Sequence, residues 1–313
     1  MTAVNLKTAK IGWIGAGRMG YEMAAKLAKA GCNITIWNRT RSKAEPLAAY
    51  GAKIADTLSD LADCDMVFTI VSTYNDLKEV LIGPNGLYTA NGKGPKILVE
   101  SSSISLEGSV ELREALAKLG TRVLASPVSG NAKVIKAGKL SIVTSGPKDL
   151  YEECLPFLNT IAPGNISYVG EGELARIAKI CHNVFLGVVT QSLAEITVLA
   201  EKAGLPRHAF LNFMNTSVMG SVFSRYKTPA FVNLDFHVTF TPYLLRKDMD
   251  LGLDAGRRYE VPMPLASITR DLVQSLMGNG YADEDFSTLI MQQAEASGLE
   301  LKPENVEVND GLS

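Results

Sequence analysis

Residues 10–20 read KIGWIGAGRMG: an apolar run that breaks into glycines at the GxGxxG spacing, followed by Met19, Met23, Ala24 and Leu27 at helical spacing. Such a run suits a strand, a tight turn and a helix. Each glycine has its own task. Gly15 permits the turn, Gly17 lets backbone approach a pyrophosphate, and Gly20 allows the helix to close on the strand. Phosphates then sit on the N–H groups of the helix start, where the dipole also favours negative charge. A glycine triplet alone is a weak signal. Between a strand and a helix it points to a dinucleotide held by Gly15, Ala16, Gly17, Arg18 and Met19.

The next strand selects the dinucleotide. Residues 33–37 alternate apolar and polar and run into NRTRSK at 38–43. An NAD site would place Asp or Glu near this strand end, about twenty residues after the glycines, to accept from the ribose 2′-hydroxyl. Asn38 stands there instead and does not repel a 2′-phosphate. Arg39 can pair with that phosphate as a planar fork, while Thr40 and Ser42 add neutral donors. The cofactor expected is NADPH/NADP+. A solvated basic turn formed by Arg39, Arg41 and Lys43 is the plainer alternative.

At 313 residues the chain exceeds a typical single domain, so two domains are expected. A net charge of −2 and a pI near 6.0 give no sign of attraction to nucleic acid or membrane. The first nine residues hold no long apolar core, and no stretch approaches a membrane span, so a cytoplasmic protein is expected. Cys32, Cys64, Cys154 and Cys181 are scattered and expected to be reduced, buried thiols. The three histidines form no ligand-spaced cluster, so no metal site is expected.

The chain changes character near residue 170. Before it, strand candidates at 10–14, 33–37, 65–71, 96–99, 121–125 and 140–145 alternate with amphipathic segments at 42–50, 74–82 and 107–119. This alternation implies parallel βαβ units in a doubly wound α/β sheet, assigned to residues 1–171. Residues 172–313 read as all-helical, with one long apolar helix over 173–203 and further helices at 206–215, 242–258 and 264–278. A helix apolar on most faces needs partners on several sides, which predicts a homodimer or homotetramer. Residues 301–313 are polar and read as a loose tail.

Chemistry is expected where the two halves meet. Lys179 and Asn183 are four apart and share one face of the long helix. Burial lowers a lysine pKa toward neutrality and makes it a usable proton donor or acceptor. Spacing alone leaves open a snorkelling surface lysine with Asn183 as an ordinary polar neighbour. His182 reads as a core residue more readily than as a catalyst. Ser129, Gly130 and Asn131 follow the strand at 121–125 and could form a donor nest for a carboxylate. The serine-rich stretch 101–105, with Ser103, is a second such loop, and either could be a plain turn.

These residues together resemble the β-hydroxyacid dehydrogenases, the group of 3-hydroxyisobutyrate dehydrogenase, tartronate semialdehyde reductase and glyoxylate/succinic semialdehyde reductase. The resemblance spans residues 9–296. It includes the glycine run, VESSSIS at 99–105, PVSG at 127–130, the segment from Gly172 through Lys179 to Asn183, KDM at 247–249 and GYADEDF at 280–286. It implies a Rossmann domain, an all-helical C-terminal domain, and hydride transfer involving a small carbonyl acid. The family's catalytic lysine falls on Lys179 and its partner asparagine on Asn183. Its substrate-anchoring Ser-Gly falls on Ser129 and Gly130, and its cofactor-side or interdomain residues on Phe240, Lys247 and Asp248.

The chain also departs from the family. Ala125 replaces an Asp, Asn131 replaces a Gly, and Val71-Ser72 stand where Leu-Pro is common, close to the expected nicotinamide position. These changes put the usual substrates in doubt. The related imine reductases commonly carry Asp or Tyr in place of Lys179, so the lysine argues for C=O over C=N reduction. A non-catalytic NADP(H)-binding protein is the remaining alternative.

Overall fold

β1 (Lys10–Ile14), β2 (Asn33–Trp37), β3 (Lys53–Ile54), β4 (Met66–Thr69), β5 (Ile97–Glu100) and β6 (Arg122–Ala125) form one parallel sheet in the order β3-β2-β1-β4-β5-β6. The computed structural model describes residues 6–88 and 94–312. The strand order reverses between β1 and β4, so the sheet has a topological switch point beside the glycine run.

Parallel strands covered on both faces need apolar side chains on both. Ile11, Trp13 and Phe68 point to one face, where Met23 and Leu27 of α1 (Arg18–Lys29) share a core with Phe157 of a later helix. Trp13 and Phe68 stack with ring centroids 5.4 Å apart. Ile14, Val67 and Leu98 point to the other face. There they meet Leu77 of α2 (Tyr74–Ile82) and Leu112 and Leu116 of α3 (Leu106–Ala117).

Two expectations for this half need correction. The segment 140–145 is not part of the doubly wound sheet. It forms β8 (Ser141–Thr144) in a separate three-stranded sheet, antiparallel to β7 (Val128–Ser129) and parallel to β9 (Ile166–Tyr168). A parallel return needs a crossover of about a dozen residues or more. The chain between β7 and β8 carries only the five-residue α4 (Ala132–Lys136), so it doubles back. Phe157 belongs to α5 (Lys148–Ile161), which links β8 to β9. The segment 42–50 is not an α-helix but two 3-10 turns, Arg41–Lys43 and Glu45–Tyr50. Pro46, near the start of the second, has no N–H to give a helix.

The second half is helical: α6 (Leu174–Lys202), α7 (Arg207–Thr216), α8 (Val222–Asn233), α9 (Pro242–Arg258), α10 (Pro264–Gly278) and α11 (Leu289–Ala296). The chain divides into two compact units between Lys179 and Ile180, inside α6. The second unit has its own core, in which Val184, Leu193 and Val198 of α6 join Leu245 and Met249 of α9 and Leu276 of α10. The α6–α9 crossing is close. A Cβ on Gly252 would lie 2.1 Å from Val184, and one on Gly187 would lie 2.8 Å from the Met249 sulfur. α6 has the length and hydropathy of a membrane span, but half of its most apolar window is buried in the protein itself, as in a core helix.

Three further expectations differ. Cys181 and His182 lie exposed on α6, because 181, 182 and 185 face away from α9. Residues 301–312 have no regular secondary structure, yet they are not loose. Asn233 exchanges two hydrogen bonds with Val306, and the carbonyl of Lys302 accepts from the Arg207 guanidinium. Glu304 accepts from the backbone N–H groups of Arg207 and His208 and from His208 Nδ1. Leu301 is buried in the helical core and Val306 and Val308 pack against it, so apolar and polar contacts together hold this segment down.

Candidate active site

The glycines of the β1–α1 turn do different work. Gly15 has φ +103°, and a Cβ there would stand 2.1 Å from the Ile70 carbonyl oxygen just after β4. A Cβ on Gly20 would stand 2.1 Å from the Gly15 carbonyl oxygen. Both are excluded by the chain's own backbone, so β1, α1 and the end of β4 close together at the switch point. Gly17 is not constrained in this way. A Cβ on it would meet nothing within 4 Å, and it caps α1 without a side-chain acceptor. Open space beside an uncapped helix start fits a pyrophosphate. Ala16 is buried, Arg18 exposed and Met19 half-buried around this space.

Asn38 sits at the end of β2 with its amide fully employed. Its Oδ1 accepts from the Ala16 N–H at 2.8 Å, and its Nδ2 donates to the Thr40 carbonyl at 2.8 Å. The position therefore supports the glycine turn and brings no negative charge. Arg41 is committed to its own turn, donating to the Ala55 carbonyl and pairing with Asp56 and Glu45. Arg39 is 79% exposed and rests on Asp76 at 3.1 Å, beside the exposed Thr40.

At the carboxyl ends of the central strands, the Val71 N–H donates to Ser102 Oγ at 2.9 Å, with Ser72 exposed and Ser103 half-buried nearby in sequence. The Ser102 N–H donates to Glu100 Oε1 at 2.6 Å. Arg176, in the first turn of α6, pairs with Glu100 and donates to the Ser102 carbonyl at 2.7 Å and Ser109 Oγ at 3.2 Å. Glu100 and Arg176 are 0% and 2% exposed. Ser145 Oγ accepts from the Ala175 N–H and donates to the Gly172 carbonyl, and Arg113 holds Gly172 and Glu173. The start of α6 is thus fastened to the carboxyl end of β5, and the half-buried Lys179 follows Arg176 by three residues.

Ser129 is half-buried at the end of β7 and Gly130 is exposed at φ +144°. Asn131 is buried. Its Oδ1 caps α4 by accepting from the Val134 N–H at 3.0 Å, while among the described residues its Nδ2 has no hydrogen-bond partner. In the second unit Asn183, 3% exposed, donates through Nδ2 to Asp248 of α9 and lies 2.9 Å from His182 Nδ1 through Oδ1. The Lys247 ammonium is 3.2 Å from Asp248. Phe240 lies half-buried before α9. Its N–H donates to Asp285 and its ring meets Phe286 edge-on.

Residues 10–170 match the family model of the NAD-binding domain of 6-phosphogluconate dehydrogenase. Residues 173–292 match that of the NAD-binding region of NADP-dependent 3-hydroxyisobutyrate dehydrogenase. The chain belongs to the β-hydroxyacid dehydrogenase family. It is 31% identical over 292 residues to glyoxylate/succinic semialdehyde reductase 2, chloroplastic, of Arabidopsis thaliana, covering 92% of this chain and 80% of the relative. It is 29% identical over 295 residues to 2-(hydroxymethyl)glutarate dehydrogenase of Eubacterium barkeri, covering 94% and 97%. The crystal structure of 3-hydroxyisobutyrate dehydrogenase from Salmonella typhimurium superposes with a TM-score of 0.81 at 25% identity, covering 90% of this chain and 99% of that one.

As a β-hydroxyacid dehydrogenase the chain binds NAD(P) and is an oxidoreductase of the hydroxy-acid and semialdehyde class. Several buried charged groups carry little local sequence signal. Glu100 was readable as an acid closing an apolar strand, but its partner Arg176 lies 76 positions later. Lys227 carried no signal at all, although its ammonium pairs with Asp285 in the core of the helical unit. Burial pulls the Asp285 carboxyl upward, but the Lys227 ammonium and the Ser287 hydrogen bonds outweigh it and hold the carboxyl below its ordinary range.

Proposed function

We propose that the protein is an NADPH-dependent reductase of a small aldehyde or keto acid, with Lys179 as the general acid and, in the reverse direction, the general base. The observation that carries this reading is the fastening of the first turns of α6 to the ends of β4 and β5, because ligands of open parallel sheets bind outside the carboxyl ends of their strands. Gly15, Ala16, Gly17, Arg18 and Met19 hold the pyrophosphate, with Arg39 and Thr40 on the 2′-phosphate, and Val71, Ser72 and Ser103 complete the cofactor contacts. When bound, the reduced nicotinamide supplies hydride. The Lys179 ammonium gives its proton to the carbonyl oxygen as that oxygen becomes an alkoxide. Ser129 and the Gly130 N–H hold the substrate carboxylate, and Asn131 follows them in the same loop. Asn183 and Asp248 steady the turn of α6 that follows Lys179.

Lys179→Ala and Lys179→Met test the reading. Both should lower kcat for carbonyl reduction by about 10²–10⁴, with NADPH affinity changed less than about threefold, because the lysine serves the carbonyl and not the dinucleotide. Retention of more than a tenth of kcat on the best of glyoxylate, succinic semialdehyde and tartronate semialdehyde, with hydride transfer rate-limiting, excludes Lys179 as the acid. Cyclic imines in the same panel separate C=O from C=N reduction.

A further inference from the structure

Buried ion pairs rarely add stability, since desolvation offsets their attraction and apolar residues replace them without loss. A fully buried Glu100–Arg176 pair at the sheet edge therefore needs another reason. The guanidinium supplies one. Its planar fork reaches in three directions at once, to Glu100, to the Ser102 carbonyl and to Ser109 Oγ. Glu100 in turn orients the Ser102 N–H, and Ser102 Oγ takes the Val71 N–H. An unbroken line of hydrogen bonds thus runs from α6 through the serine turn to the end of β4.

The other anchors, Ser145 and Arg113, grip the approach to α6 and its start, at Gly172, Glu173 and Ala175. They fix where the helix starts. Arg176 fixes how it is turned about its axis. Lys179 stands three residues on, about 60° around and about 4.5 Å along the helix, so any rotation of Arg176 is passed to it directly.

We propose that Arg176 and Glu100 are a positioning pair for the reduction, setting the phase of α6 so that the Lys179 ammonium is aligned with a carbonyl presented at the ends of β4 and β5. The inference rests on the reading of Lys179 as proton donor. A displacement of about 1 Å in a catalytic group costs roughly a hundredfold, so the pair acts on the chemical step without touching substrate.

A mutant cycle tests it. Glu100→Gln is isosteric and Arg176→Gln leaves a shorter amide, so together they replace the charges by neutral hydrogen-bonding groups. In single-turnover reduction at saturating NADPH, the doubly substituted enzyme should be at least tenfold slower, with its NADPH dissociation constant changed less than threefold. Introduced into Lys179→Met, the same two changes should slow the residual reaction less than twofold. Equal factors in both backgrounds, or more than half the rate retained with Lys179 present, would overturn the positioning role while leaving the proton donor intact. An unimpaired Lys179→Met enzyme instead removes the proton-donor reading, at a different corner of the cycle. If the double substitution does not fold, Ser109→Ala, which removes only the Nε partner, gives the same cycle. It should slow reduction about threefold with Lys179 present and leave it unchanged without.

Discussion

Asn38 reaches back 22 residues to accept a hydrogen bond from the Ala16 N–H, so the residue at the end of β2, where an NAD site would carry an acid, also braces the glycine turn. Its two roles separate in Asn38→Asp. The acceptor to Ala16 is kept, the donor to Thr40 is lost, and a negative charge appears beside the ribose. The KM for NADPH should rise about ten- to hundredfold and NADH should become the better cofactor. Steady-state kinetics with both cofactors check this, and an unchanged preference counts against NADPH selection at the end of β2.

Arg39→Ala removes the exposed cation that rests on Asp76. A charge-assisted contact to a phosphate contributes about 1.5–3 kcal/mol, so KM for NADPH should rise roughly ten- to hundredfold while that for NADH stays within twofold. Equal loss with both cofactors assigns Arg39 to the fold instead.

Asp285→Asn leaves the Lys227 ammonium buried without its counter-charge. The cost at pH 7 should be about 3–5 kcal/mol in chemical denaturation. The folded carboxyl titrates below its unfolded value near about 3.9. The stability it contributes is therefore complete above that pH and is lost as pH falls through the folded value. The difference between wild type and variant should narrow below about pH 4, and a gap that stays constant to pH 2 refutes the assignment.

Phe185 and Leu199 on α6 are 68% and 69% exposed. Apolar surface of that extent on a 29-residue helix predicts burial against another copy of the chain. Light scattering at micromolar concentration should give a dimer or larger, and Phe185→Glu with Leu199→Glu should give a monomer. A monomeric wild type contradicts the expectation.

What could be read in the residues was local. The glycine run, six strand positions and the helices over 74–82, 242–258 and 264–278 carry their signals within a few residues, and the structure has them. What escaped was non-local. β7 and β9 are two and three residues long and exist through their pairing with β8. α8 contains Pro229, which reads as a breaker and is tolerated inside a packed helix. In the site, the glycine turn and Asn38 were legible because each acts on its neighbours in one βαβ unit. Arg176 was not, because Glu100, Ser102 and Ser109 reach it only through the fold of the sheet edge.

The hold of Glu304 on the first N–H groups of α7 also bears on how the polypeptide is made. Pro206 precedes α7 and offers no side-chain cap, so the helix start is closed by a carboxylate 97 residues later. The start of α7 is translated about 5–20 s before Glu304. The nucleotide-binding unit can close while translation continues, since its anchors on α6 lie within its own stretch of chain. The helical unit waits for residues 302–306. A chain truncated just before residue 301 should therefore show a protease-resistant first unit and a degraded second one.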